Sequence, residues 1–381
     1  MILSIYAAHL LNLPKTSEYG VSFYHRRLAI TMKSLLQYLV KIASAVTICC
    51  TVLAYICPSV NPTKFSWLSF FGTAFPWFLL VNVLLLAYWT WHGNRFALYH
   101  LGILFFGWQH ITGFVGFDFG KDTVPENAIT VATHNLGGIY LGKEATAEWR
   151  EKRAAAYVNF LQKNNAPDIL CTQETSGKFY RLVAEKMGYE HTFNLKKGTV
   201  ILSRYPIVAG GDVPFGKTYN STLWADIKIA SNKTVRVYNV HLQSNRVTNT
   251  TAKVIEKGDL DEGETWQDIG FVLGRVGSAT RLRAEQAQKL REHINACKLP
   301  VIICGDFNDT PNSYVYALLS NGFNDTFRQK ALGLGTTFAG ALPMLRIDYI
   351  LTEKNITTFS CRTDRTGDFS DHYPVFSALG M

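Results

Sequence analysis

The chain has 381 residues, of which 48% are apolar and 18% are charged. This length predicts two structural units, and the apolar content excludes a disordered or fibrous protein. Residues 1–117 hold seven basic side chains and one acidic side chain, so +6 of the net charge of +9 lies there and +3 lies in residues 118–381. Because the basic excess accompanies apolar segments, it indicates a membrane topology signal rather than a nucleic-acid-binding surface.

Three apolar stretches occupy the region 35–117, at about 35–57, 67–91 and 96–117. Each is about as long as the roughly 20 residues that a helix needs to cross a bilayer. Trp67, Trp89 and Trp91 lie at the ends of the second stretch, where aromatic side chains favour the headgroup layer. We therefore predict about three transmembrane helices after an N-terminal segment, 1–34. The third stretch contains polar residues, and an interfacial position remains an alternative for it.

The orientation follows from the Lys and Arg residues that flank these stretches. Residues 1–41 carry five of them, whereas the two short connections carry only Lys64 and Arg95. Positive flanks stay in the cytoplasm, so the N-terminal segment is predicted to be cytoplasmic. Three crossings would then place everything after residue 118 on the extracytoplasmic side of an integral membrane protein.

A linker is predicted at 118–127, and from residue 128 onward short β-rich runs alternate with helical patterns. The predicted strands are 128–136, 168–174, 199–208, 221–230, 234–244, 301–308, 345–352 and 373–380. The predicted helices are 145–165, 176–187 and 279–296, the last after a charged insertion at 246–280. This order predicts a second unit, 128–381, of the α/β class with mixed sheets and helices outside them.

Polar residues with catalytic potential follow the ends of the apolar strand runs. They are Asn135, Glu174, His241, Asp306 with Asn308, Asp348, and Asp371 with His372. Taken singly, each has an ordinary interpretation as a turn, a helix cap or a structural histidine. Together they predict one cleft, because strands of a sheet end along a common edge.

The motifs THNL, TQE, NVHLQS, GDFND, RIDYI and SDHYP occur in this order. This series resembles the endonuclease/exonuclease/phosphatase superfamily over about residues 128–381. The resemblance implies a four-layered α/β/β/α sandwich and a reaction in which water cleaves a phosphate ester with the help of Mg²⁺. Hard oxygen ligands of this kind suit Mg²⁺ or Mn²⁺.

The resemblance also implies a role for each residue of the series. Glu174 would be the main metal ligand, assisted by Asn135 and Asp371. His372 would contact the scissile phosphate, oriented by Asp348, and His241 would assist the leaving oxygen.

Asp306 and Asn308 stand one residue apart at the end of a predicted strand. Since side chains alternate along a strand, we expect both to point to the same side. The Asp306 carboxylate would position or deprotonate the attacking water, and the Asn308 amide would hydrogen-bond a phosphate oxygen.

Three functional classes remain open on the sequence alone. The favoured class is a membrane-anchored, divalent-metal-dependent phosphodiesterase that acts on a lipid or another envelope-side phosphate ester, with the bilayer and this ester as its partners. The alternative is a membrane-anchored nuclease that acts on DNA or RNA, which the low charge of residues 118–381 disfavours. The third class, a catalytically silent scaffold, is disfavoured because none of the motif residues departs from the family pattern.

Overall fold

The computed structural model describes residues 18–120, 123–137, 146–216, 218, 220–245, 263–340 and 344–381. The N-terminal region is helical. Its helices are α1 (Glu18–Ile56), α2 (Ser69–Thr73), α3 (Phe75–Trp91), α4 (Phe96–Phe106) and α5 (Trp108–Ile111). Short 3₁₀ turns, Cys57–Ser59 and Ser66–Leu68, lie between α1 and α2.

Helices α1, α3 and α4 pack against one another through buried polar contacts inside an apolar bundle. The indole Nε1 of Trp89 on α3 donates to Ser44 Oγ on α1 at 2.8 Å. Asn82 on α3 donates to Thr51 Oγ1 on α1 at 2.8 Å, and its Oδ1 lies 2.8 Å from His100 Nδ1 on α4. These hydrogen bonds fix the three helices in register, because a polar group left unpaired in such a core is costly.

The outer surface of the bundle is apolar. Large exposed side chains occur on all three helices and include Leu35, Leu36, Leu39, Val46, Leu80, Leu84, Leu98, Leu101, Phe105 and Phe106. One helical segment, Ser34–Ser59, is long and apolar enough to cross a membrane, with a mean hydropathy of 2.0 and 17% of it buried. The pair Ser66–Thr73 and Phe75–Trp91, bent by 51°, would count as a second crossing if it forms one broken span.

The prediction of about three spans is therefore wrong: the described residues contain one candidate span, or two if the bent pair forms one span. Helix α4 has 11 residues, or about 16 Å of rise, which is shorter than the hydrocarbon core of a bilayer. It ends at Gly107, where a Cβ atom would lie 1.8 Å from the Tyr55 hydroxyl, so only glycine fits this contact with α1. Residues 115–117, which were predicted to be part of this span, form a strand instead.

The rest of the described chain forms the predicted α/β unit. Its strands are β1 (Val115–Phe117), β2 (Ile129–Asn135), β3 (Ile169–Gln173), β4 (His191–Asn194), β5 (Val200–Ser203), β6 (Ile207–Val213), β7 (Thr222–Ala230), β8 (Lys233–His241), β9 (Val301–Asp306), β10 (Phe323–Asp325), β11 (Leu332–Leu334), β12 (Asp348–Glu353), β13 (Thr357–Thr363) and β14 (Val375–Gly380). Its helices are α6 (Ala147–Lys163), α7 (Gly177–Met187), α8 (Gly263–Asn295), α9 (Tyr314–Ser320) and α10 (Thr326–Lys330).

Two six-stranded mixed sheets stack face to face. Their strand orders are β10-β12-β9-β8-β7-β6 and β13-β14-β2-β3-β5-β4. Buried side chains such as Val131, Ile169, Val237 and Ile302 fill the space between the sheets. A second core lies between the sheet that contains β2 and helices α6 and α7, and a third lies between the sheet that contains β9 and helices α8 and α9. The four layers and the α/β class agree with the sequence prediction.

The helical region is joined to the segment that follows β9. Thr310 Oγ1 donates to the backbone oxygen of Gly72 at 3.2 Å, and a Cβ atom on Gly72 would lie 2.2 Å from the backbone oxygen of Asn312. The side chain of Asn312 also bonds to His110 Nδ1 at 2.7 Å. The α/β unit is thus held against the end of the apolar bundle.

Candidate active site

Three of the predicted residues stand side by side across neighbouring strands. His241 ends β8 and pairs in register with Asp306, which ends β9. Asp306 in turn pairs with Asp348, which begins the antiparallel strand β12. The sheet register alone therefore places one histidine and two carboxylates in a row along one edge.

His372 completes this row from the other sheet, just before β14. Its Nδ1 lies 2.9 Å from Asp348 Oδ2, and its Nε2 lies 4.0 Å from Asp306 Oδ2. A carboxylate only accepts hydrogen bonds, so the proton on Nδ1 is directed to Asp348. The other ring nitrogen is left to face the cleft and Asp306.

The backbone of His372 is held by a residue that the sequence analysis did not assign. His134 on β2 is fully buried, its Nε2 lies 3.0 Å from the carbonyl oxygen of His372, and its Nδ1 lies 3.0 Å from the Tyr157 hydroxyl. Because the carbonyl can only accept, Nε2 carries the proton and Nδ1 accepts from Tyr157. The only signal in the sequence was a second polar residue beside Asn135 in the THNL motif.

Asp306 and Asn308 are adjacent, but not for the predicted reason. Strand β9 ends at Asp306, and Asn308 has a φ of 53°, a left-handed conformation that Asn tolerates better than most residues. This turn brings the Asn308 N–H to 2.7 Å from Asp306 Oδ1, and Asn308 Nδ2 donates to Asp306 Oδ2 at 2.9 Å and to Leu242 O at 3.0 Å. With both amide hydrogens engaged, Asn308 orients Asp306 rather than pointing a donor into the cleft.

Glu174 lies at the next strand end, with a φ of 52° that turns its side chain into the cleft. Its Oε1 lies 3.4 Å from His241 Nε2 and 3.3 Å from Asn135 Nδ2. Asn135 Nδ2 also donates to Asp306 Oδ2 at 2.9 Å, while Asn135 Oδ1 accepts the N–H of Gly137 at 2.9 Å. Asn135 therefore links the two carboxylates and keeps one lone pair on Oδ1 uncommitted.

The pKa values of two carboxylates in the site, Glu174 and Asp306, are shifted in opposite directions. A hydrogen bond from His241 is the main reason that the pKa of Glu174 is lowered to about 2, so this group is ionised at neutral pH. Burial, followed by the charge of Asp348, raises the pKa of Asp306 to about 6. A carboxylate with such a pKa is an effective proton acceptor near neutral pH.

His372 is the cationic member of the site. Burial by itself would lower its pKa, but the negative charges of Asp348 and Asp306 outweigh burial and raise the pKa to about 10. The imidazolium form therefore persists at neutral pH. Its Nε2–H is a charge-assisted donor for an anionic oxygen in the cleft.

The residues present fit a hard divalent cation. Glu174 and the exposed Asp371 both line the cavity, and Asp306 lies beside Glu174 through Asn135. Among the described residues, a carboxylate oxygen of Asp306, one of Asp348 and a ring nitrogen of His372 lie within 4.8 Å of one another. Because His372 is protonated, only the two carboxylates of this group could bind a cation, and the buried Asp348 Oδ1 has no hydrogen-bond partner. Carboxylate oxygens in this number are typical of a Mg²⁺ or Mn²⁺ site. The assignment of Asn135, Glu174 and Asp371 as ligands stays a prediction.

The cavity around these groups measures about 1160 Å³. Glu174, His241, Asp306, Asn308, Asp371 and His372 line it, whereas Asn135 and Asp348 are buried beneath them. One wall is basic and consists of Arg181, Lys196 and Lys197, and another is apolar and consists of Phe338, Leu345 and Ile347. Thr73, the last residue of α2, lies at the edge nearest the helical bundle.

Two further lining residues were not assigned to the site from the sequence. Asn220 Nδ2 donates to Leu242 O at 2.9 Å, and this contact places the Asn220 side chain beside the His241 ring, with Nδ2 3.3 Å from Nε2. Arg283 on α8 is buried, pairs with Asp309 at 3.1 Å and supports the turn that follows Asn308. Neither residue stands in a motif, and only the fold brings them to the cleft.

Comparison with known protein families gives two matches along the chain. A model described as "Endonuclease/Exonuclease/phosphatase family" matches residues 132–372. A second model, described as a domain of unknown function (DUF8431), matches residues 37–114. The two matches correspond to the α/β unit and to the helical bundle.

Individual relatives are distant. Nocturnin from Rattus norvegicus and Nocturnin from Homo sapiens are each 26% identical over 178 residues, which are 44% of this chain and 38% of theirs. Solved structures that are similar include an endonuclease/exonuclease/phosphatase family protein from Bacteroides thetaiotaomicron, with 20% identity, 68% and 98% of the two chains covered and a TM-score of 0.47. Humanized D. rerio TDP2 has 15% identity, 67% and 100% coverage and a TM-score of 0.47.

Proposed function

The chain belongs to the endonuclease/exonuclease/phosphatase family, and on this premise we propose that it is a membrane-anchored, divalent-metal-dependent phosphodiesterase that acts on a lipid phosphate ester. One observation carries the choice of a lipid. Thr73, at the break between α2 and α3, borders the same cavity as Glu174 and His372. A cleft that opens where the apolar helices end suits a substrate that is itself in the membrane.

The cation would be held by Glu174, with Asn135 and Asp371, and when bound it would supply positive charge for the phosphate oxygens. Asp306, fixed by Asn135 and Asn308, accepts the proton of the attacking water. His372 donates from Nε2 to a phosphate oxygen while Asp348 holds its Nδ1. His241, on the far side of Asp306 in the sheet register, assists the leaving oxygen.

This division of work follows from geometry and charge together. Phosphoryl transfer depends on positioning and charge neutralisation more than on a covalent intermediate. His372 Nε2 and Asp306 Oδ2 are 4.0 Å apart, which is too far for a hydrogen bond. The donor, His372, and the base, Asp306, are therefore separate groups on the cavity side. The site then has one acceptor for the water and one cationic donor for the phosphate.

The arrangement of the bundle also supports an extracytoplasmic catalytic unit. The C-terminal end of α1 continues into the turn Cys57–Ser59, which packs against α9 of the catalytic unit. A single crossing by α1 therefore separates the cytoplasmic N-terminal segment from the α/β unit, whereas a second crossing by α2 and α3 would return the chain to the cytoplasmic side. The basic residues before the apolar segment Ser34–Ser59, which are Lys15, Arg26, Arg27 and Lys33, would hold that segment's N-terminal side in the cytoplasm.

The test is a substrate panel on the purified full-length chain. Hydrolysis of a labelled phospholipid in vesicles, of labelled DNA and RNA, and of a chromogenic phosphodiester is measured with Mg²⁺ and with a chelator. We expect metal-dependent cleavage of the phospholipid that His372→Ala abolishes. Cleavage of nucleic acid without cleavage of lipid would replace the proposed substrate, and no cleavage of any ester would overturn the enzymatic function.

A nuclease is the second candidate, and the basic wall of the cavity favours it. Arg181, Lys196 and Lys197 lie on the side of the cleft that is formed by α7 and the β4–β5 connection. Three cations in a row match a phosphate backbone, although Lys197 is already paired with Asp212 at 2.9 Å. The nucleic-acid arms of the panel decide between the two candidates.

A further inference from the structure

The two-stranded ribbon β1–β11 has an unusual distribution of side chains. Val115 pairs with Leu334, and Phe117 pairs with Leu332, so these four apolar residues lie on one face of the ribbon. Phe117, Leu332 and Leu334 are exposed. The opposite face carries Gly116, where a Cβ atom would lie 2.2 Å from the backbone oxygen of Ala331. The ribbon thus turns its apolar face outward and its glycine face toward the protein.

This face continues into the apolar surface of the helical bundle. The rings of Phe117 and Trp108 are 4.8 Å apart, and Trp108 follows the exposed Phe105 and Phe106 of α4. Two residues beyond the end of β1, Phe119 is 79% exposed. A group of exposed apolar side chains of this kind is larger than the single apolar side chains that soluble surfaces ordinarily expose.

Basic side chains border this group on the catalytic unit. A groove beside the ribbon is lined by three basic residues, Lys330, Arg362 and Arg365, by one acidic residue, Asp118, and by Phe119, Leu332 and Leu334. Arg365 donates to the backbone oxygen of Leu334, and Arg362 lies 3.5 Å from Asp364. Apolar side chains next to cations are the composition of protein surfaces that lie in the headgroup layer of anionic membranes.

From these observations we propose that the ribbon face formed by Phe117, Leu332 and Leu334, together with the neighbouring Phe119, lies in the lipid interface, with Arg365 toward the phosphates of anionic phospholipids. The contact is separate from the catalytic cavity, and it fixes the tilt of the α/β unit against the bilayer. It rests on the membrane placement of the helices in the proposed function. Arg328 on α10 donates to the Gln109 backbone oxygen and to Thr112 Oγ1. These contacts join α10 to the end of the bundle and hold the ribbon at the level of the lipid interface.

Photo-crosslinking of the full-length chain in vesicles tests the surface directly. A benzophenone amino acid is placed at Leu332, at Leu84 on α3, which is 60% exposed, and at Val208 on β6, which is 58% exposed. The vesicles contain phosphatidylcholine with or without phosphatidylglycerol, and lipid adducts are measured by mass spectrometry. We expect adducts at positions 84 and 332 and none at 208.

Each outcome has a separate meaning. Adducts at 84 but not at 332 would overturn the ribbon surface and leave the anchored enzyme standing, whereas no adduct at 84 or 332 would overturn the membrane placement itself. An adduct between position 332 and another protein chain would assign the surface to a protein partner and reject the proposal. With phosphatidylglycerol present, Arg365→Gln should lower the yield at 332 by up to about fivefold, and an unchanged yield would refute the role of this cation.

Discussion

His372 Nδ1 and Asp348 Oδ2 are 2.9 Å apart, and both residues are buried at the base of the cleft. They come from different sheets, since Asp348 begins β12 and His372 precedes β14. The contact therefore depends on the stacking of the two sheets. It also determines which nitrogen of His372 faces the substrate.

The first prediction concerns this pair. Asp348→Asn removes the acceptor that orients the imidazole and the charge that keeps it protonated, so it should lower kcat about 1000-fold, as His372→Ala does. The double variant should be within about threefold of either single variant, because the two changes disable one unit. The measurement is steady-state hydrolysis of a chromogenic phosphodiester by the three variants.

The control for this series is Asp368→Asn, since the side chain of Asp368 is 91% exposed and its contact is with Arg153. It should retain full activity. If the fold-losses in kcat of Asp348→Asn and His372→Ala multiply in the double variant, the two residues act independently.

The second prediction concerns metal binding. Glu174→Gln replaces a charged oxygen ligand with a neutral amide of equal size, so it should weaken Mg²⁺ binding and lower kcat by more than about 100-fold. Binding of Mn²⁺, followed by electron paramagnetic resonance, gives a readout that does not depend on turnover. Glu185→Gln on the exposed side of α7 is the matched control. A Glu174→Gln protein that binds Mn²⁺ as tightly as the native chain would refute the ligand assignment.

The third prediction separates His241 from His372. If His241 assists the leaving oxygen, His241→Ala should impair a substrate with a poor alkoxide leaving group by about 100-fold and a nitrophenyl ester by much less. His372→Ala should impair both substrates alike, because a phosphate contact is needed for either. The comparison needs only the two variants and two esters that differ in the leaving group. A His241→Ala defect of equal size on both esters would show that His241 does not assist the leaving oxygen.

Sequence reasoning predicted that these residues would meet in one cleft because they stand at strand ends, and strands are recognisable from short apolar runs. It failed where tertiary contact decides the local structure. The third apolar stretch reads as a span, but the helix ends at Gly107 against Tyr55 of α1. The left-handed turn at Asn308 and the support of His372 by His134 involve residues that only the folded chain brings together.

The fourth prediction concerns topology. A reporter fused after Met381 should behave as extracytoplasmic, because α1 separates the basic N-terminal segment from the catalytic unit. The same reporter at the N-terminus should behave as cytoplasmic. Protection of the catalytic unit from protease in intact cells, with cleavage only in inverted vesicles, would reverse the orientation.

The last prediction concerns His134 and the pH dependence of stability. Burial is the main reason that the pKa of His134 is lowered to about 4, from an ordinary value near 6.5. Between these two values the unfolded chain binds a proton at this site that the folded chain does not, so the contribution of His134 to stability falls as the pH falls from 6.5 to 4. The full loss is about 3 kcal/mol, because each unit of pKa difference corresponds to about 1.4 kcal/mol.

His134→Gln cannot titrate, and its amide can donate to the His372 carbonyl oxygen. Denaturant unfolding of both proteins from pH 4 to pH 7 should show that the native chain loses stability more steeply toward acid than the variant, with the difference confined to the range below 6.5. Parallel curves over this range would mean that His134 is not held in its neutral form.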